Sequence, residues 1–256
     1  MATTLSTSLT DKVAIVTGSS RGIGAAIALR LAEEGAKVVV NYVSNLQAAN
    51  EVVQKIKLSG KGDAVAIKAD ISTVEAGTIL IDETLKLFGK LDILVLNAAA
   101  LQYQVLADVT EHTYDTHMNT NVKGPLFLSQ AASKHFPSSG GRIIFLSSSV
   151  TSFSSIGPNY LEYAMSKGAV EQMSRILAKD LGSKNATVNT VSPGPVDTEL
   201  FRAGKPQSLI DSIASQSPSK RIGRPEEIAP VVAFLASEAA QWVNGQNIGV
   251  NGGFIL

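Results

Sequence analysis

Cysteine is absent from all 256 residues. The chain can therefore form no disulfide, carry no thiol nucleophile and bind no metal through thiolate, a composition that suits the cytoplasm. Net charge is absent as well, with 22 basic residues against 22 acidic. No run of Lys or Arg offers a footprint for nucleic acid, which directs attention to a small-molecule partner. Long apolar runs are also missing. Stretches such as 38–40 and 143–146 fall far short of the roughly 20 residues of a membrane span, so no membrane partner is expected. Histidine is scarce, and His112, His117 and His135 have no ligand spacing with one another or with acidic residues, so no metal site is expected.

What is present is a large apolar fraction, 45% against 17% charged residues, enough at this length for the core of one domain. Residues 1–10 are rich in Ser and Thr and read as a loose tail, which leaves 11–256 as the folded unit. Short β-branched or aliphatic runs lie at 13–17, 37–41, 64–68, 93–96, 142–147, 187–192 and 247–250. They alternate with helix-period stretches such as 23–34, 46–59 and 74–88. Uniformly apolar short strands suit a parallel sheet buried on both faces, and the alternation implies right-handed crossovers. The expectation is a single α/β domain, a doubly wound parallel sheet of about seven strands with helices on both faces. Residues 197–224 carry Gly204, Pro206 and several serines without a strand signal, and read as a lid over the strand ends.

The turn after the first strand is Thr17-Gly18-Ser19-Ser20-Arg21-Gly22-Ile23-Gly24, opening directly into a helix. Glycines at 18, 22 and 24 permit a tight turn and close approach of a diphosphate to a helix N-terminus. Where an NAD site places an acid after the second strand, this chain has Asn41, Tyr42, Val43 and Ser44. Arg21 can offer its guanidinium to a 2′-phosphate, with Ser44 and the 41–44 backbone beside it, which favours NADP(H) over NAD. Further along, Tyr163 and Lys167 stand four residues apart on a helical stretch, one turn apart on one face with β-carbons roughly 6 Å from each other. A fixed ammonium favours the phenolate, and the pair can then exchange a proton with a carbonyl or alcohol oxygen.

Gly18-x-x-x-Gly22-x-Gly24, Asn97-Ala98-Ala99, Asn121, the serines at 147–149, Tyr163-x-x-x-Lys167 and Pro193-Gly194 occur together and in order. In this the chain resembles the short-chain dehydrogenase/reductase family across 11–256, closest to fungal hydroxynaphthalene reductases and 3-oxoacyl carrier-protein reductases. The resemblance implies a Rossmann-type fold, an NADP(H) cofactor and a catalytic tetrad of Asn121, a serine, Tyr163 and Lys167. Counting along the fifth strand points to Ser148, the serine expected in the tetrad, while counting back from Tyr163 also permits Ser149. Tyr163 would pass a proton to the substrate oxygen, Lys167 would lower its pKa and hold ribose hydroxyls, and Asn121 would position a water. For the cofactor the resemblance adds Ser20 and Ile23 in the glycine turn, and Asp70 and Ile71 at the adenine. It also adds Asn97, Ala98 and Ala99 at the fourth strand end, and Pro193, Gly194, Val196 and Thr198 at the sixth. Ala99 stands where the family has glycine, and its methyl would crowd the ribose.

The expected activity is NADPH-dependent reduction of a hydrophobic or aromatic ketone to a secondary alcohol. Leu200, Phe201, Leu209 and Ile213 are available for its pocket. Trp242 and Phe254 are read as core or interface packing first, and as pocket lining second. The C-terminal residues 225–256 resemble the family's tetramer-forming end, implying a homotetramer or a homodimer. Two rivals stand beside this reading: an NAD-linked alcohol dehydrogenase, and an NADP-binding sensor or scaffold without turnover.

Overall fold

A computed structural model describes residues 5–256. The strands are β1 (Val13–Val16), β2 (Lys37–Tyr42), β3 (Asp63–Lys68), β4 (Ile93–Leu96), β5 (Arg142–Leu146), β6 (Thr187–Pro193) and β7 (Asn247–Val250). They form one seven-stranded sheet in the order β3-β2-β1-β4-β5-β6-β7, and every pairing is parallel. Ile15 lies opposite Val39 on one side and Leu94 on the other, so β1 is central although it comes first.

The uniform apolarity of the strands follows from a core on each face. Ala14, Val16, Val38, Val40, Ile93, Val95, Ile144 and Leu146 face one core, and Ile15, Val39, Leu94, Leu96, Ile143 and Phe145 the other. The first core is covered by α1 (Gly22–Glu33), α2 (Leu46–Ser59) and α9 (Pro225–Ala236), through Ile27, Leu31, Val52, Ile56 and Val232. The second is covered by α3 (Val74–Phe88), α5 (Gly124–Ala132) and α6 (Leu161–Leu181), through Leu80, Ile81, Leu128 and Val170. Each such side chain, fully buried, contributes roughly 1.5–3 kcal/mol. Helix ends follow local chemistry. Asn45 accepts from the Ala48 amide at 2.9 Å at the start of α2, and Gly60 ends it in the left-handed region at φ 68°.

Among residues 5–10 the loose-tail reading is corrected. Leu9 is wholly buried in the first core, its amide donates to the Glu34 carbonyl at 2.8 Å, and the Ser6 carbonyl accepts from Ala239 at 3.1 Å. One leucine in a polar stretch has enough apolar area to anchor it against α1. The first four residues lie outside the described part of the chain. The remaining helices are α4 (Glu111–Met118), α7 (Glu199–Arg202) and α8 (Gln207–Gln216). The last two lie in the segment read as a lid, which leaves and returns at one point: Asp197 N donates to Gly223 O at 2.9 Å, and Gly223 N to Pro195 O at 2.8 Å. No helix among the described residues is long and apolar enough to cross a membrane.

Candidate active site

The strand order reverses between β1 and β4, and a crevice opens there beyond the carboxyl ends of the strands. Its floor is braced by side chains at the strand ends. Thr17 Oγ1 accepts from the amides of Asn97 at 2.9 Å and Ala98 at 3.0 Å, while Asn97 Nδ2 donates back to the Thr17 carbonyl at 2.9 Å. Gly18 and Gly22 adopt φ of 60° and 57°, where a side chain is strained. At Gly24 a Cβ would fall 2.5 Å from both the Gly18 carbonyl and Asn97 Nδ2. Arg21 precedes α1 without capping it through its side chain, and the first turn holds no acid. The leading amides of that helix therefore face the crevice without a side-chain acceptor.

The crevice is a cleft of about 340 Å³. The glycine turn lines one end with Gly18, Ser20, Arg21, Gly22, Ile23 and Gly24. Tyr42 and Ser44 stand beside it, Asn97, Ala98 and Ala99 form the floor, and Tyr163, Lys167, Pro193 and Thr198 close the other end. Five residues expected at the cofactor do not line this cleft. Asn41 is buried and turned inward: its Oδ1 accepts from Gly18 N at 3.1 Å, and its Nδ2 donates to Ile67 O at 3.3 Å and Ala69 O at 3.0 Å. Its side chain locks the turn and is not available to a ligand. Asp70 is exposed and accepts from Ser72 N at 3.0 Å, and Ile71 packs in the second core, so neither side chain lines the cleft. Gly194 and Val196 face a neighbouring chamber, because the chain turns away from the cleft after Pro193. Arg21 itself is ion-paired with Glu199 at 2.6 Å, both largely exposed, and Glu199 also lines the cleft.

That chamber, about 190 Å³, shares Tyr163, Pro193, Thr198 and Leu200 with the cleft. Its wall is mostly apolar and aromatic. Leu200, Phe201 and Ile213 belong to it as expected, whereas Leu209 is 45% exposed and outside it. Phe254 lines the chamber and packs on Phe153 with ring centroids 5.3 Å apart. Trp242 is 96% exposed, so the core-packing reading fails for it. Leu101, Tyr103, Ile156, Tyr160 and Lys205 also line the chamber and carried no signal in the sequence.

Where cleft and chamber meet, α6 presents Tyr163 and Lys167 on one face, with the ammonium 5.5 Å from the phenol ring centroid. Lys167 is buried, and Nζ donates to the Leu146 carbonyl at 2.7 Å. Burial pushes its pKa down to about 8. Burial also pushes Tyr163 up to about 12, with Tyr160 adding to the rise and a hydrogen bond with Ser148 opposing it. The lowering expected from the neighbouring ammonium is therefore outweighed by burial. At neutral pH Tyr163 is a phenol with a proton to give. Ser147, Ser148 and Ser149 all line the chamber with Tyr163, and of these Ser148 is the one that offsets part of its rise; Ser149 is buried, and Ser147 donates to Glu171 Oε1 at 2.8 Å.

Glu171 Oε1 also accepts from Thr151 Oγ1 at 2.7 Å, so this carboxylate grips both ends of the serine turn. Its place eight residues after Tyr163, on the same face of α6, was the sequence signal for it. Asn121 lies in a five-residue π-type turn, Asn119–Lys123, between α4 and α5. Its Oδ1 accepts from Ala100 N at 2.8 Å, and its Nδ2 donates to Ala100 O at 3.0 Å and Ser166 Oγ at 2.9 Å. The side chain thus ties the β4 exit loop to α6 and does not line the cleft. Of the histidines, His117 is buried, with Nε2 accepting from Gln102 N at 3.1 Å.

A family model described as enoyl-(acyl carrier protein) reductase matches residues 18–255. The chain is 44% identical to a probable tetrahydroxynaphthalene reductase of Zymoseptoria tritici, covering 95% of this chain and 94% of that protein. It is 43% identical to versicolorin reductase 1 of Aspergillus parasiticus, covering 96% and 97%. A solved short-chain dehydrogenase of Burkholderia cenocepacia J2315 in complex with NADP superposes with a TM-score of 0.89 at 36% identity, covering 96% of this chain and 98% of that one.

Proposed function

The chain belongs to the short-chain dehydrogenase/reductase family, and from that premise we propose that it reduces a polyketide-type aromatic ketone to a secondary alcohol with NADPH. The observation that carries this reading is Tyr163, held as a phenol at the junction of the cleft beside the glycine turn and an apolar chamber. Reduction needs a proton donor at that point, and a phenol pushed up to about 12 is one at neutral pH.

The cleft suits a dinucleotide phosphate. The open first turn of α1 would hold the diphosphate, Arg21 and Ser44 the 2′-phosphate, and Lys167 the ribose hydroxyls beside Tyr163. No carboxylate follows β2 to reject the extra phosphate, which supports NADP(H). When bound, the cofactor supplies the hydride for the carbonyl carbon. Tyr163 gives its hydroxyl proton to the carbonyl oxygen, so that the alcohol forms with one new C–H and one new O–H bond. Ser148 donates a hydrogen bond to the same oxygen and fixes its direction. The phenolate left on Tyr163 is discharged by a proton drawn past Lys167, whose ammonium releases one readily because burial has lowered its pKa to about 8. Asn121 acts as a positioning residue through Ser166 and Ala100.

The chamber takes the ketone ring system, and residues 197–224 form its lid, hinged where Pro195 and Asp197 bond to Gly223. Exposed Trp242, Phe234 and Leu256 near the C-terminus support a subunit interface, that of a homotetramer or a homodimer, measurable by light scattering. Loss of NADPH absorbance with a panel of aromatic ketones tests the function. Turnover is expected with NADPH, and Tyr163→Phe should lower kcat by about 10³-fold. An unchanged rate in that variant, or no binding of NADPH, would overturn the proposal.

A further inference from the structure

Lys205 lies in the turn between α7 and α8 and projects into the chamber, half-buried among aromatic rings. Its Nζ donates to the Tyr103 hydroxyl and, at 2.6 Å, to the Phe201 carbonyl. It also lies 4.8 Å from the Tyr103 ring centroid and 4.7 Å from that of Phe201. These contacts fix a cation where a chamber for an apolar ring would be expected to have none. An ammonium has three hydrogens, and Tyr103 and Phe201 take two. No Asp or Glu lines the chamber, and the ion pairs of this region, Arg202 with Asp197 and Arg221 with Glu227, leave Lys205 out.

Nor does the chamber wall supply a counter-charge of another kind. Burial, then a hydrogen bond with Tyr160, raises the pKa of Tyr103, and Tyr163 is raised as well, so both are neutral phenols at physiological pH. Burial meanwhile presses the Lys205 pKa down, the mark of a charge short of compensation. The site is braced from behind. Tyr103 stacks edge-on against Tyr160 at 5.0 Å between centroids, and Gln104 N donates to Asn159 O at 2.9 Å, which ties the two loops that carry these tyrosines. A cation held in place by two neutral oxygens, with no carboxylate on the chamber wall, is placed to meet an anionic oxygen that enters the chamber.

We propose that Lys205, braced by Tyr103, is the subsite for an anionic oxygen on the ketone substrate, separate from the carbonyl that is reduced. Phenolate and carboxylate share this chemistry. The inference rests on the ketone reduction proposed above, and it assigns specificity: among ketones of one skeleton, the chamber selects those that bring a negative oxygen.

The test uses three bicyclic aryl ketones of one skeleton: unsubstituted, carrying a phenol acidified by flanking fluorines so that it is ionised at pH 7, and carrying a carboxylate. Their affinity for the full chain saturated with NADP⁺ is measured by calorimetry, and kcat/KM is measured separately with NADPH. In the wild type, at least one charged ketone should bind about tenfold or more tighter than the plain one, equivalent to ~1.4 kcal/mol. Lys205→Met should bring that ratio close to one, and Lys205→Arg should retain most of it. Tyr103→Phe, which keeps the ring and removes the hydroxyl, should lower the ratio several-fold. A gain with the phenol alone identifies a phenolate subsite, and a gain with the carboxylate alone a carboxylate subsite. A wild-type ratio near one for both, or a ratio that survives Lys205→Met, overturns the proposal. Because the ratio comes from binding, absence of turnover with the ratio intact would strike the reductase reading and leave this subsite standing.

Discussion

Replacing Lys167 by Met should make the protein more stable and less active at once. The ammonium is buried, and holding it there moves its pKa from 10.5 to about 8, a cost of roughly 3 kcal/mol at neutral pH. Met fills a similar volume without charge. The variant gives up the hydrogen bond to the Leu146 carbonyl, about 1 kcal/mol. The net gain is then about 2 kcal/mol, or about 4 °C in Tm for a chain of this length. Its pH dependence separates this cause from better packing. The unfolded chain keeps the lysine proton up to about 10.5, while the folded chain loses it near 8, so the penalty is full below pH 8 and fades as pH rises to 10.5. Melting followed by far-ultraviolet circular dichroism should show the variant ahead at pH 7 and level with or behind the wild type near pH 10.5. A variant that melts lower at pH 7, or a difference that does not change with pH, would refute the argument. Turnover should be lost in the same variant at every pH.

Arg21→Ala should weaken NADPH binding about tenfold or more, ~1.4 kcal/mol, and leave NADH binding unchanged, while Glu199→Gln should tighten NADPH several-fold by freeing the guanidinium from its 2.6 Å partner. Calorimetric titration of both cofactors decides this, and equal losses for NADPH and NADH would contradict it. Ser148→Ala should lower kcat by about 10²-fold, with Ser149→Ala within a few-fold of wild type; the reverse order in steady-state rates would reassign the serine. Asn41→Ala removes the side-chain bonds to the Gly18 amide and to the Ile67 and Ala69 carbonyls and should destabilise the fold by about 2–4 kcal/mol. Urea unfolding would show it, and an unchanged midpoint would mean that the turn does not depend on this brace.

The sheet was legible because its strands are buried on both faces, and a run such as Ile-Leu-Val-Leu at 93–96 has no other comfortable home in an α/β domain. The glycine turn and the Tyr163 and Lys167 pair were legible because their parts are close in sequence and their spacing maps onto a turn and a helix face. Asn41 was misplaced for a reason of scale. Its position after β2 is the expected one, but the pleat alternates side chains, and which way this one points depends on Gly18, Ile67 and Ala69, distant in sequence. Lys205 and Tyr103 were invisible in the same way, 102 residues apart and joined only when the 197–224 segment folds over the β4 exit loop. Leu9 shows the limit of composition: a Ser/Thr-rich stretch reads as solvated until one side chain finds a slot. The direction of the Tyr163 shift escaped as well, since motif spacing reports the nearby charge and is silent on burial, which decides the sign.

The central place of the first strand sets the order in which a ribosome can deliver a working molecule. β1 leaves the exit tunnel long before β4, its neighbour on one side, so until Leu96 has emerged that edge stays open. The Thr17 hydroxyl cannot be locked before the amides of Asn97 and Ala98 exist, and the far wall of the cleft waits for Pro193 and Thr198. A nascent chain halted within its first ninety or so residues therefore presents two or three apolar strands with an unpaired edge and no cofactor cradle, a state suited to mispairing with other chains. Slow codons or chaperone capture in that interval would act on this open edge, because β4 and every later strand are added in turn on the same side of β1.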